Sequence, residues 1–110
     1  AGFVIENIRS GLVRQHHPEQ IKSLQKQDGT FLDVRTNAEF AAGHLPRAIN
    51  IPLDSLRQNL NRIDKNKPVY VNCQSGLRSY IACRILSAHG FTCSNLSGGY
   101  RFYQVIEENQ

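Results

Sequence analysis

The run Pro68-Val69-Tyr70-Val71-Asn72 constrains this chain most: it is the best strand in the sequence, and it runs straight into Cys73. Beyond it lie the polar residues Gln74, Ser75 and Gly76, and then a helical pattern carrying Ile81, Ala82, Ile85 and Leu86 on one face. A strand that ends on a cysteine at the head of a helix dictates an α/β arrangement around that cysteine. The rest of the chain repeats the theme. Short β-like runs alternate with helical patterns, which is the signature of a parallel α/β sheet. The expected fold is therefore α/β, a central parallel sheet of about five strands flanked by helices.

The other elements follow from local signals. Residues 2–10 read as a short helix or a tail, and residues 13–16 as a first short strand. Pro18 opens a helix of about ten residues with Ile21 and Leu24 inward, as Pro in a first turn allows. Gly29 breaks it, and Phe31-Leu32-Asp33-Val34 forms a buried strand. Thr36 and Glu39 make a T-x-x-E capping box for a helix holding Phe40 and Ala41, which Gly43 ends. Residues 48–51 read as a third strand. Leu53, Leu56, Leu60 and Ile63 recur at steps of three and four, the pattern of an amphipathic helix, with Asp54 in its first turn. Gly90 stops the helix after Cys73, residues 91–96 form a fifth strand, and residues 100–106 form a closing helix.

The 110 residues suit one compact domain, and a 40% hydrophobic, 20% charged composition is that of a globular chain. The net charge of +4 suits an anionic substrate, but the basic residues are scattered, so nucleic acid is not an expected partner. No apolar run approaches membrane-spanning length, and no membrane partner is expected. Three cysteines, Cys73, Cys83 and Cys93, argue against a closed disulfide framework and fit a reducing compartment. Their ten-residue spacings match no zinc pattern, so no metal is expected. Residues 1–8 lack the basic start and cleavage pattern of a secretory signal, and a cytoplasmic location is expected. With no initiating Met, the chain is expected to be a piece of a longer protein.

Chemistry concentrates in Cys73-Gln74-Ser75-Gly76-Leu77-Arg78-Ser79. Open parallel sheets bind ligands at the carboxyl ends of their strands, where this segment falls. Backbone N–H groups converge there, and the helix N-terminus adds positive potential. A cysteine at that centre is expected to be held as a thiolate. Arg78 is expected to add a fixed positive charge, and Ser75 and Ser79 to donate hydrogen bonds, while Gly76 lets the loop curl. Such a cradle also holds a persulfide. The thiolate takes a sulfane sulfur from a donor, becomes Cys–S–S⁻, and passes the outer sulfur to a thiolate or cyanide without metal or organic cofactor.

Other polar residues have quieter readings. Cys83, off the main apolar face of its helix, and Cys93, within a strand, read as packing residues. Asp33 is expected to support the site by hydrogen-bonding the active loop or Arg78, and Arg35 to brace the neighbouring helix. His44 reads as a structural hydrogen bonder, because an ionised thiol needs no general base. His16, His17 and His89 read as surface or helix-end residues. Glu39 reads as a capping-box residue. Tyr100 and Tyr103 read as core or interface aromatics.

Along roughly residues 13–106 the sequence resembles the rhodanese family. Leu32-Asp33-Val34-Arg35 is similar to that family's opening strand motif. Glu39-Phe40, then Gly43-His44-Leu45-Pro46 and Ala48-Ile49-Asn50-Ile51-Pro52, resemble its next segment. Cys73 to Arg78 resembles its active-site loop, and Leu96-Ser97-Gly98-Gly99-Tyr100 its late L-x-G-G turn. The resemblance implies a sulfurtransferase moving sulfane sulfur from a persulfide, polysulfide or thiosulfate to a thiol acceptor. It implies Cys73 as the catalytic residue and Gln74, Ser75, Gly76, Leu77, Arg78 and Ser79 as substrate-binding. The alternatives are a phosphatase or arsenate reductase on the same fold and a non-catalytic regulatory or docking module. Phosphatases of this arrangement normally place five residues between Cys and Arg; here four stand between them, a ring suited to one sulfur.

Two departures matter. Many thiosulfate-cleaving members carry Arg directly after the Cys, and Gln74 removes that charge, which favours a persulfide or polysulfide donor. Arg47 stands where the family usually has Gly. Residues 1–11 also resemble the tail of flavin-dependent pyridine nucleotide–disulfide reductases of the coenzyme A disulfide reductase type. That implies a boundary, with residues 1–12 a tail or linker from a preceding reductase domain and residues 13–110 the rhodanese-like domain. FAD, NAD(P)H and coenzyme A would then belong to the full-length protein rather than to this domain, with coenzyme A persulfide and the attached reductase as partners.

Overall fold

In the computed structural model, residues 14–108 are described. The reading of residues 2–10 as helix or tail, and of residues 1–12 as a linker, lies outside them. The core is a five-stranded parallel sheet of β1 (Arg14–His16), β2 (Thr30–Asp33), β3 (Ile49–Asn50), β4 (Val69–Asn72) and β5 (Cys93–Leu96), in the order β1-β5-β4-β2-β3. The helices are α1 (Ile21–Gln25), α2 (Asn37–Ala42), α3 (Leu77–Ala88) and α4 (Gly99–Glu108). The α/β expectation is met.

Strand periodicity divides the interior. Successive side chains point to opposite faces of a strand. Val69 and Val71 of β4 therefore face one cluster, with Leu32, Ile51, Leu56, Ala82, Cys83 and Leu86. Tyr70 faces the other, with Ile21, Phe31, Leu45, Leu96 and Tyr100. The central strands β2 and β4 are thus buried on both faces, in keeping with their largely apolar runs.

Four expectations are corrected. The amphipathic pattern over residues 53–63 forms two 3₁₀ segments, Leu53–Ser55 and Arg57–Arg62, rather than an α-helix. Asn59 leaves the helical region at φ −123°, and its side-chain amide donates to Ser55 O at 2.7 Å, a local bond that competes with the backbone ladder. On α3, Ile81 is 41% exposed, not inward. Ala82, Ile85 and Leu86 are buried as expected, together with Ser79 and Cys83, so Cys83 lies on the inner face rather than off it. Small side chains at 79, 82 and 83 let this helix sit close to β4 and β5, whereas ranking residues by hydrophobicity alone rotates the face toward Ile81. Finally, His16 is buried rather than at the surface, with Nδ1 hydrogen-bonded to Ser94 Oγ at 2.8 Å.

The helix opened by Pro18 starts as a 3₁₀ turn, Pro18–Gln20, and continues as the short α1. Arg47 takes φ +67°, the left-handed region that favours glycine, and its guanidinium donates to Gln25 O. That conformation accounts for the residue type expected there.

Candidate active site

Buried polar residues gather at one edge of the sheet. His16, Asp33 and Asn72 end their strands, and Asn95 stands one residue before the end of β5. All four lie at the carboxyl ends, the edge where parallel sheets bind ligands. Cys73 follows Asn72 at the centre of that edge.

Cys73 is 1% exposed. Its sulfur accepts from Gly76 N–H at 3.0 Å and lies 3.3 Å from Ser79 Oγ. Gly76 makes the first contact possible. It takes φ +113°, and a Cβ there would meet nothing within 4 Å, so backbone conformation rather than space demands glycine. The same residue caps α3, accepting from Tyr80 N–H at 3.1 Å.

The loop carbonyls are held by a second helix. At the start of α4, Tyr100 N–H donates to Cys73 O at 2.8 Å and Arg101 N–H to Gln74 O at 3.1 Å. These are orphan donors of a helix N-terminus, satisfied here by the carbonyls of the Cys73 loop. The approach depends on Gly99: a Cβ there would stand 2.5 Å from Gln74 O and 2.8 Å from Cys73 O.

Arg35 fixes the Gln74 side chain. Its guanidinium binds Asp33 through Nε and Nη2 at 2.8–3.1 Å, donates to Gly43 O at 2.6 Å and reaches Gln74 Oε1 at 3.1 Å. It also lies 4.4 Å from the centroid of the Tyr100 ring. Asp33 therefore bonds Arg35 rather than Arg78 and acts on the loop through it. Asn50 completes the turn by donating to Asp33 O and Arg35 O. Beside these residues opens a cavity of about 350 Å³, lined by Arg35, Glu39, Gly43, Gln74, Tyr100 and Gln104 among others.

Glu39 does more than cap. The Thr36–Glu39 capping box is present. The same carboxylate also takes a bidentate pair from Arg78, at 2.7 and 3.0 Å. The Arg78 hydrogen bonds, helped by Thr36 N–H, hold the Glu39 carboxyl down at about 2. Arg78 is thus ion-paired with Glu39, and the Cys73 sulfur adds a smaller electrostatic attraction.

Of the expected site residues, Cys73, Gln74, Gly76 and Ser79 come together. Leu77 is 64% exposed and Ser75 is exposed, at the outer side of the loop. His44 is structural as expected, bonded to Phe40 O and stacked on the Phe40 ring. Asn95, Gly99, the Tyr100 backbone and Glu39 as partner of Arg78 were missed. Only Gly99 carried a signal, in the paired glycines before Tyr100.

The family model of the rhodanese-like domain matches residues 17–104. The chain belongs to the rhodanese-like domain family. Among relatives of this rhodanese domain, a sulfurtransferase of Allochromatium vinosum is 38% identical over 74 residues, covering 66% of this chain and 69% of that protein. The crystal structure of reduced Bacillus anthracis CoADR-RHD superposes with a TM-score of 0.93 at 33% identity, covering 98% of this chain but 19% of that one. A NAD-dependent persulfide reductase from A. fulgidus superposes at 0.74 with 35% identity, covering 90% of this chain and 17% of its own. The rhodanese domain thus spans about a fifth of the reductase chains it resembles.

Proposed function

We propose that this rhodanese domain is a sulfurtransferase in which Cys73 carries the sulfur. The observation that carries this reading is the Gly76 N–H held 3.0 Å from the Cys73 sulfur at the head of α3. A donor placed there favours an anionic sulfur. The Cys73 thiolate attacks the sulfane sulfur of a donor R–S–S⁻, the donor S–S bond breaks, and R–S⁻ leaves. With thiosulfate the leaving group is sulfite. An acceptor thiolate then attacks the outer sulfur of the Cys73 persulfide and releases Cys73 as thiolate.

Gln74 shapes the donor choice. Its side chain is neutral and its Oε1 is occupied by Arg35, so it presents no charge to a sulfonate. Persulfide or polysulfide donors are therefore favoured over thiosulfate. The likeness to CoADR-RHD, of which this chain covers a fifth, supports a module attached to a flavin-dependent disulfide reductase of the coenzyme A disulfide reductase type. Residues 1–12 would be the tail of that reductase. FAD and NAD(P)H would be bound by it, and coenzyme A persulfide would be a partner of the joined domains.

Single-turnover mass spectrometry with glutathione persulfide, coenzyme A persulfide and thiosulfate tests this. Cys73 gains one sulfur, fastest with the persulfides, and cyanide removes it. Cys73→Ser abolishes transfer; a serine variant that transfers at the wild-type rate overturns the reading.

A further inference from the structure

We propose that Asn95 is a positioning residue that decides whether the Ser79 hydroxyl faces the Cys73 sulfur or turns away from it. The inference rests on the reading of Cys73 as the sulfur carrier and extends it to how that sulfur is ionised and released.

Ser79 and Asn95 are both buried, on α3 and β5. The Ser79 hydroxyl has one proton and three neighbours able to accept it: Asn95 Oδ1 in a short contact, Gly76 O at 3.2 Å and Cys73 Sγ at 3.3 Å. The Asn95 amide is oriented by its other end, because Nδ2 donates to Gly76 O at 3.3 Å. A flipped amide would set its oxygen against that carbonyl. Oδ1 therefore faces Ser79 and takes its proton.

While the proton points to Asn95, the sulfur meets the lone pairs of Ser79 Oγ. That suits a thiol, whose S–H can donate to Oγ. It does not suit a thiolate. To donate to a thiolate, the hydroxyl must rotate and leave Asn95 Oδ1 buried without its bond, which costs free energy. Asn95 thus opposes the thiolate and favours states in which the inner sulfur is neutral, the thiol and the persulfide. In the release step the acceptor thiolate attacks the outer sulfur, the Cys73 S–S bond breaks, and the electron pair stays on Cys73. The Ser79 proton then swings from Asn95 to the new thiolate, while the acceptor leaves as the persulfide.

The charged groups around the sulfur are matched before this switch acts. Arg78 of α3 is paired with Glu39 of α2, and Arg35 with Asp33 at the end of β2. Cys83, on the inner face of α3, Cys93, at the start of β5, and Tyr80, half-buried against them, are the other titratable groups described in the cluster that holds Cys73.

The test is the pH profile of iodoacetamide alkylation at Cys73, read by mass spectrometry of its peptide. This profile belongs to the resting thiol and stands whether or not the chain transfers sulfur. Asn95→Leu, which roughly preserves volume, and Asn95→Ala both lower the midpoint by about one pH unit, the scale of one net hydrogen bond. Ser79→Ala raises it. In the Ser79→Ala background, replacing Asn95 moves the midpoint no further. A midpoint that stays or rises in the folded Asn95 variants overturns the proposal. So does an equal fall without Ser79, which would show that Asn95 acts on the sulfur by another route. If Asn95→Ala does not fold, Asn95→Leu and the Ser79→Ala pair decide alone.

Discussion

Two turns leave neighbouring parallel strands at the same sheet edge, and they are built in opposite ways. After β2, Asp33 and Arg35 are buried and bind each other by two side-chain nitrogens, with Asn50 closing the backbone. After β4, residues 74–77 include exposed Ser75 and Leu77. They take their order from elsewhere: Gln74 from Arg35, the Cys73 and Gln74 carbonyls from the first N–H groups of α4, and Gly76 O from Asn95. One turn is closed by its own buried ion pair and by Asn50 of β3. The other holds the thiol and borrows its rigidity. On the proposed reading the loop accepts and releases a sulfur, so its centre stays clear of its own side chains and its supports stand outside it.

The largest break in this comparison comes from Arg35→Ala. It strands Asp33 as a buried, unpaired carboxylate, and removing one partner of such a pair costs about 3–5 kcal/mol. Chemical denaturation reads the loss. Arg35→Lys restores little, because one ammonium cannot serve Asp33, Gly43 O and Gln74 Oε1 together. Equal stability of Arg35→Ala and the parent would refute the description of the first turn as the anchor of the second.

Gly99→Ala separates the turns. The new Cβ would lie 2.5 Å from Gln74 O, at a residue with φ +70°, so α4 must withdraw from the loop. The expected loss of stability is smaller, about 1–3 kcal/mol from strain and overpacking. The rate of Cys73 sulfur loading should fall at least about tenfold, as small misplacements of a reacting group do. A variant with unchanged loading would mean that α4 does not hold the loop in its working shape.

The first turn and the loop differ also in how far they were legible. The order Cys73 to Arg78, the α/β alternation and the Thr36–Glu39 capping box are local patterns, and each survived. The supports of the loop are not local. Arg78 meets Glu39 across 39 residues, and Ser79 meets Asn95 across 16. A T-x-x-E signature says that a glutamate caps a helix; it does not say that the same carboxylate has oxygens left for an arginine. Asn95 sits in a strand between Ser94 and Leu96, where one more polar side chain carries no signal until its neighbour on α3 is known. His16 reads as a surface residue for the same reason. Its burial depends on β1 pairing with β5, a contact no short window contains.

Glu39→Gln gives the smallest effect and the sharpest sign. The carboxyl is held at about 2 against an ordinary value of 4.5, so its pairing is present in full above the ordinary value. As pH falls from 4.5 through 2 the folded state gains a proton that breaks the Arg78 pair, and that increment of stability is lost. The Glu39 and Arg78 side chains are each about a third exposed, at 32% and 35%, so solvent screening limits the increment to about 1 kcal/mol. Denaturation midpoints at pH 6 and pH 3 should therefore converge slightly in Glu39→Gln relative to the parent. A glutamine still accepts from Thr36 N–H, so α2 keeps its cap. If the parent and variant lose stability in parallel between those pH values, the Glu39–Arg78 pair adds nothing to holding α2 against the head of α3, and the loop after β4 depends on Arg35 and α4 alone.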